Sequence, residues 1–203
     1  MGNIISISCE CREFTAELTG ATAQNGGNAI CYCTDCRAFV HHLDKADNYL
    51  DEYGGSRLYQ TQPHRVKIIK GQDKLAVLQL KDEGLYRWYV SCCDTPIGNS
   101  LGTPKFSFFA FLVNNFQNGK NEIGPVHFRY KSEHALKPII EPSGSLLLYM
   151  WRTLFRTTAL RLNGKWKDTP FFDYSTGKAI TEPRVLNDEE RNTAYRALST
   201  ILK

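Results

Sequence analysis

The sequence predicts a mainly β fold closed by a helical C-terminal extension. Three observations carry this expectation. Short apolar runs rich in β-favouring residues recur through the first 130 residues, with turn residues between them. The seven cysteines of the 203-residue chain sit beside those runs in three tight clusters, with none after Cys93. After Ser145 the pattern changes to long helical stretches separated by a loop that contains Pro170, Gly177 and Pro183.

Each element follows from local chemistry. Residues 4–7 and 14–18 alternate apolar and polar side chains, flank Cys9 and Cys11, and read as strands. Thr34 is the expected N-cap of a short helix reaching His42. Residues 44–53 form a second short helical candidate, ending at Gly54-Gly55. Residues 65–70 and 75–80 are apolar β-favouring runs joined by the turn residues Gly71-Gln72-Asp73. Residues 81–84 turn the chain into an aromatic strand over 85–91 that runs into Cys92, and 107–113 reads as another strand. Short strands at this spacing point to an all-β sandwich or barrel.

Ser145 is placed to cap a helix over Leu146–Leu162, stopped by Asn163-Gly164. Its apolar residues spread too widely for one narrow stripe, so it is expected to pack on the β core. Residues 169–185 read as irregular loop. Asn187 is the expected cap of a last helix reaching Leu202, with Asp188, Glu189 and Glu190 suiting its positive end. The organisation expected is a zinc-binding β domain over residues 1–145 and a basic helical extension over 146–203 packed on it.

Composition bounds the function. An apolar content of 42% supports a core, and no apolar run approaches the ~18 residues of a membrane span. The N-terminal residues lack the basic start and apolar centre of a secretory signal, so a cytoplasmic location and reduced cysteines are expected. An odd number of cysteines also speaks against a disulfide framework. Residues 1–6 match the short myristoylation pattern, although burial of Ile5 and Ile7 in a first strand explains them as well. Residues 1–145 hold 15 basic and 15 acidic side chains, so the formal +4 lies in the extension, with its ten basic and six acidic ones. Arg152, Arg156, Arg161, Lys165 and Lys167 are read as a solvated face. Leu147, Met150, Trp151, Leu154 and Phe155 lie among them and suit packing on the core or a partner subunit better than nucleic acid.

The cysteines carry the chemistry. Cys31, Cys33 and Cys36 form a C-x-C-x2-C run, which wraps three sulfurs around one point. Three thiolates on Zn²⁺ leave a net charge of −1, a poor setting for generating hydroxide. Such a zinc can still accept a thiol as fourth ligand and hold it as thiolate, the reactive form of sulfur. The opposing reading is a closed structural site completed by His41 or His42. Cys9 and Cys11 supply half of a second site, and Cys92 and Cys93 can supply the rest. Neighbouring strand residues point to opposite faces, so both sulfurs of that last pair reach one metal only if the chain bends, for which Thr95-Pro96 is the candidate. Seven then divides into a closed site of four and an open site of three.

In order and spacing the three clusters resemble those of the glutathione-dependent formaldehyde-activating (GFA) enzyme family, which includes centromere protein V. That family shows C-x-C, then C-H-C-x2-C, then C-x2-C-G-T-P-I. Here these read Cys9-Glu10-Cys11, Cys31-Tyr32-Cys33-Thr34-Asp35-Cys36 and Cys92-Cys93-Asp94-Thr95-Pro96-Ile97. The similarity covers about residues 3–115 and includes residues 56–65, with Tyr59 and Pro63. It implies coiled β-sheets built around zinc, with the first and third clusters structural and the second catalytic. It also implies a carbon–sulfur lyase type reaction joining a thiol such as glutathione to formaldehyde. Three positions depart from the family: Tyr32 replaces a histidine, Asp94 replaces a glycine, and the last cysteines are adjacent. The alternative to an enzyme is a non-catalytic zinc module that binds a protein or nucleic acid.

Overall fold

The computed structural model describes residues 3–201. Gly2 of the acylation motif and Leu202, the expected end of the last helix, lie outside them. The elements run β1 (Ile4–Ser8), β2 (Thr15–Thr19), β3 (Gly27–Cys31), α1 (Thr34–His42), α2 (Ala46–Tyr49), β4 (Ser56–Thr61), β5 (Val66–Lys70) and β6 (Leu75–Gln79). They continue through β7 (Tyr86–Val90), β8 (Thr95–Ser100), β9 (Phe109–Leu112), β10 (Phe128–Tyr130), α3 (Leu146–Leu162), β11 (Arg184–Val185) and α4 (Asp188–Ile201).

The fold is mainly β, with two sheets and a few helices. The small sheet is antiparallel, in the order β1-β2-β5. The large one has eight strands, β10-β3-β4-β9-β8-β7-β6-β11, and only its two edge pairs, β10 with β3 and β11 with β6, are parallel. The chain changes sheet between β5 and β6. Gly71 makes this turn at φ 76°, where a Cβ would lie 2.1 Å from the Glu13 carbonyl oxygen. The two runs read from sequence as neighbours across that turn therefore pair with different partners.

Alternation places Ile5 and Ile7 of β1 and Leu18 of β2 inward, where they meet Tyr59, Trp88, Phe109 and Phe111 of the large sheet. A second apolar layer covers the opposite face. There Phe39 and Val40 of α1 pack with Leu78, Leu112, Leu186 and Ala194 of α4. Phe171 and Phe172, in the segment expected to be irregular loop, enter the main core, where Phe171 stacks on Phe109 with ring centres 4.0 Å apart. The extension is thereby built into the β fold at its far end.

Several helix ends differ from expectation. The cap of α1 is Cys33, whose sulfur accepts the Cys36 N–H, and Thr34 is the first helical residue. The second helix is a single turn, Ala46–Tyr49. At α4 the expected cap is present and reciprocal: Asn187 Oδ1 accepts the Glu190 N–H, and Glu190 Oε2 accepts the Asn187 N–H. In α3 the Ser145 hydroxyl accepts the Leu148 N–H as expected. That helix, however, rests on the sheet along one edge. Tyr149 stacks on Phe128, Thr153 reaches Gln60, and Arg156 donates to the carbonyls of Gln24 and Gly26. Leu147, Met150, Trp151, Leu154 and Phe155 remain exposed. No helix among the described residues is long and apolar enough to cross a membrane.

Candidate metal centres

The first centre joins the two sheets. Cys9 and Cys11 occupy the turn after β1, and Cys92 and Cys93 occupy the turn between β7 and β8. Their four sulfurs lie within 4.8 Å of one another. Sγ–Sγ separations are 3.6 Å for Cys9–Cys11, 3.4 Å for Cys11–Cys92, 4.0 Å for Cys9–Cys92 and 3.8 Å for Cys92–Cys93. All seven cysteines are free thiols.

Both turns are shaped for convergence. In the first, the Phe14 N–H donates to Cys9 Sγ at 3.3 Å and Arg12 takes a positive φ of 63°. In the second, Asp94 takes a φ of 52°, a left-handed geometry that Asp tolerates better than most residues. This is where the chain bends to bring adjacent cysteines to one point. Thr95-Pro96, the expected bend, instead opens β8. Asp94 thus occupies a left-handed position that would also suit a glycine.

Thr95 braces this centre, its hydroxyl accepting the Glu10 N–H at 3.1 Å and lying 3.1 Å from Cys93 Sγ. Burial, followed by hydrogen bonding to Cys11, pushes the Cys92 thiol up. At Cys93 burial works in the same direction, but hydrogen bonds from Thr95 and Cys11 outweigh it and bring the thiol down to about 7.

The second centre is local. Cys31 ends β3, Cys33 caps α1, and Cys36 lies in its first turn. The three sulfurs fall within 4.8 Å of one another, Cys31 and Cys33 being 3.2 Å apart. No His, Asp, Glu or further Cys among the described residues joins them at that distance. His42 faces Arg184 instead, at 3.4 Å, and His41 lies outside the group.

Arg87 backs this cluster. It is buried in β7, and its Nη1 donates to Cys36 Sγ at 3.4 Å and to Asn99 Oδ1 at 3.0 Å. Hydrogen bonds from Cys31 and Cys33 hold the Cys36 thiol well below its ordinary value against the penalty of burial, and the Arg87 charge adds to the effect. Hydrogen bonds to Cys33 and Cys36, then burial, push Cys31 up. Three thiols this close cannot all ionise without a cation among them. The grouping of sulfurs in either cluster could hold a metal ion.

Two polar side chains within the second cluster's run, Tyr32 and Asp35, point elsewhere. The buried Tyr32 directs its hydroxyl to Asp51 Oδ2 at 3.3 Å, and Asp35 accepts the Tyr195 hydroxyl at 2.6 Å. Arg87 was not singled out from the sequence, and Thr95 was read there only as part of a bend. A lone arginine between Tyr86 and Trp88 is the signal for Arg87, since a cation amid an aromatic strand requires a partner. The sulfurs face an open cavity of about 410 Å³, lined also by Leu58, Leu85, Phe108 and Lys131.

No curated protein matches the chain. Among solved structures, a Rhodobacter sphaeroides protein superposes with a TM-score of 0.42 at 12% identity, over 62% of this chain and 99% of its own. The profile of DUF6151, a family of unknown function, matches residues 1–182, and the chain belongs to that family.

Proposed function

We propose that the chain is a zinc protein of the GFA type, with one closed and one open zinc site, and that the open site binds a thiol for carbon–sulfur chemistry. The observation that supports this best is the inequality of the two clusters. Four sulfurs converge where the sheets meet, whereas three converge beside a cavity with no further Cys, His, Asp or Glu ligand atom within 4.8 Å of them all among the described residues. Tetrahedral zinc with Zn–S near 2.3 Å sets its sulfurs about 3.8 Å apart. The separations of 3.4–4.0 Å in the first cluster fit that size.

At the second cluster this chain's residues would do three things. Cys31, Cys33 and Cys36 bind the ion. Arg87 offsets the net negative charge of three thiolates and orients Cys36. The open side faces the cavity, so a small thiol can enter. Zinc there would hold that thiol as thiolate, the form that adds to a small aldehyde such as formaldehyde. Glutathione is the thiol implied by the family resemblance.

The test is elemental analysis and sulfur-edge or metal-edge spectroscopy of protein purified without chelator. Two zinc per chain are expected, one in four sulfurs and one in three, with a fourth sulfur appearing at the second on addition of thiol. Formaldehyde–thiol exchange should then exceed the uncatalysed rate. A histidine nitrogen at the second zinc before any thiol is added would favour the non-catalytic module.

A further inference from the structure

We infer that the thiol taken by the three-cysteine site carries an apolar tail, which lies in a groove between the α3 helix and the loop before β9. This rests on the reading of that site as thiol-binding. The groove has a volume of about 550 Å³ and adjoins the cysteine cavity, since Leu85 and Phe108 line both. Each volume falls in the range of about 300–1,000 Å³ common for small-molecule sites.

The lining chemistry selects the ligand. Beyond Leu85 and Phe108 the groove is walled by Leu101, Phe106, Met150 and Leu154, and none of its lining side chains is charged. Its Gln60 and Thr153 satisfy each other, the Thr153 hydroxyl donating to Gln60 Oε1 at 3.0 Å. They leave little call for a polar ligand there. The cations of the cysteine cavity already have partners. Arg87 is committed to Cys36 and Asn99, while Lys131 and His134 both face Glu133 at 3.7 Å. An uncharged aliphatic or aromatic tail matches these walls, and its burial supplies affinity that a bare thiol lacks. The S–H proton leaves to solvent as the sulfur binds.

The experiment uses the full chain with cobalt(II) in place of zinc, so that the thiolate-to-cobalt absorption band reports binding without any turnover. Mercaptoalkanols of three, six and eight carbons are titrated, with glutathione alongside. Affinity should rise by about fourfold per methylene until the groove is filled, and the longer thiols should bind more tightly than glutathione. Met150→Asp and Leu154→Asp, at exposed positions of α3, should flatten that dependence and leave the three-carbon thiol unaffected, with an unchanged melting curve as the check that each variant folds. Quenching of Trp151, which also lines the groove, gives a second readout, lost in Trp151→Phe.

Equal affinity at every chain length would overturn the groove assignment while leaving the thiol reading intact. Absence of any thiol band would overturn both. Chain-length dependence untouched by either α3 variant would place the tail elsewhere. A dimer that Met150→Asp dissociates and long thiols do not bind more tightly would give the groove to a second copy of the chain.

Discussion

Arg87 and Cys36, 51 positions apart in sequence, meet in the interior with guanidinium Nη1 3.4 Å from the sulfur. Burial alone would lower the Arg87 pKa, but the charge and hydrogen bond of Cys36 reverse this and hold it above its ordinary value. The strand β7 thus delivers the counter-charge for a cluster formed by β3 and α1.

Removing that counter-charge should unsettle the second centre alone. Breaking a buried pair on one side costs about 3–5 kcal/mol. On the proposed two-zinc reading, Arg87→Met is expected to lower thermal stability and to lose the ion of the three-cysteine site, while that of the four-cysteine site stays. Zinc counted per chain, before and after dialysis, checks this. Retention of both ions at wild-type affinity would show that Arg87 plays no part.

Cys92 and Cys93 should prove equally important, since both sulfurs join the first centre. Structural zinc contributes about 10–16 kcal/mol of apparent binding free energy. Each kcal/mol moves the melting temperature of a chain this size by about 2–4 °C. Losing even a quarter of it through Cys92→Ser or Cys93→Ser should lower Tm by at least about 5 °C. Calorimetry of the two variants side by side is the check, and a wild-type Tm for Cys92→Ser would remove it from the ligand set.

Stability should fall as pH drops below neutrality, beyond what metal release explains. Burial holds four of the five histidines, His41, His42, His64 and His127, below the ordinary value of 6.5. Neighbouring cations add to this at His64, from Arg65 and Lys165, and at His127, from Arg152 and Arg156. A histidine whose folded pKa is depressed binds fewer protons when folded. The unfolded chain therefore takes up more protons below about pH 6.5, and folding weakens as pH falls through that value. Denaturant melts from pH 7.5 to 5 should show this slope, and His64→Gln with His127→Gln should reduce it.

Tyr195→Phe should loosen the last helix. Its hydroxyl donates to the Asp35 carboxylate at 2.6 Å, across 160 positions. A hydrogen bond to a charged group contributes about 1.5–3 kcal/mol, and partial exposure puts this one near the lower end. Amide exchange of α4 should quicken, by up to about tenfold per 1.4 kcal/mol lost, with the sheets unchanged. Unaltered exchange in α4 would mean the contact does not hold it.

How much of this was legible in the sequence varied with the range of the interaction. The partition of seven cysteines into four and three rested on spacing, and the turns at residues 9–14 and 91–94 bring the sulfurs together as that spacing suggests. Ile5 and Ile7 were readable because β1 has one buried and one exposed face. Strand β8 was not, because every one of its residues is buried and no alternation marks it. Strands β3 and β4 were missed for a similar reason: buried Gly27 and Asn28 and buried Gln60 and Thr61 do not read as core. The pairing of Arg87 with Cys36 is tertiary, and only the oddity of an arginine in an aromatic strand hinted at it. Nor did the breadth of apolar residues in α3 reveal that one edge of the helix, and not its widest face, would meet the sheet.

The two centres also differ in the length of chain each must close. Cys31, Cys33 and Cys36 span six residues, whereas Cys11 and Cys92 meet across 81. Loop-closure entropy grows with the logarithm of that separation and makes the longer closure costlier by about 2–3 kcal/mol. A metal ion can therefore find three sulfurs on a chain whose sheets have not yet come together, while the four-sulfur centre must wait for β7 and β8 to arrive. Pulsed alkylation during refolding with zinc should find Cys31, Cys33 and Cys36 shielded first and Cys9, Cys11, Cys92 and Cys93 later. The reverse order would mean that docking of the sheets, and not the local turn, nucleates assembly. Order of metal capture would then be a property written into the spacing of the thiols along the chain.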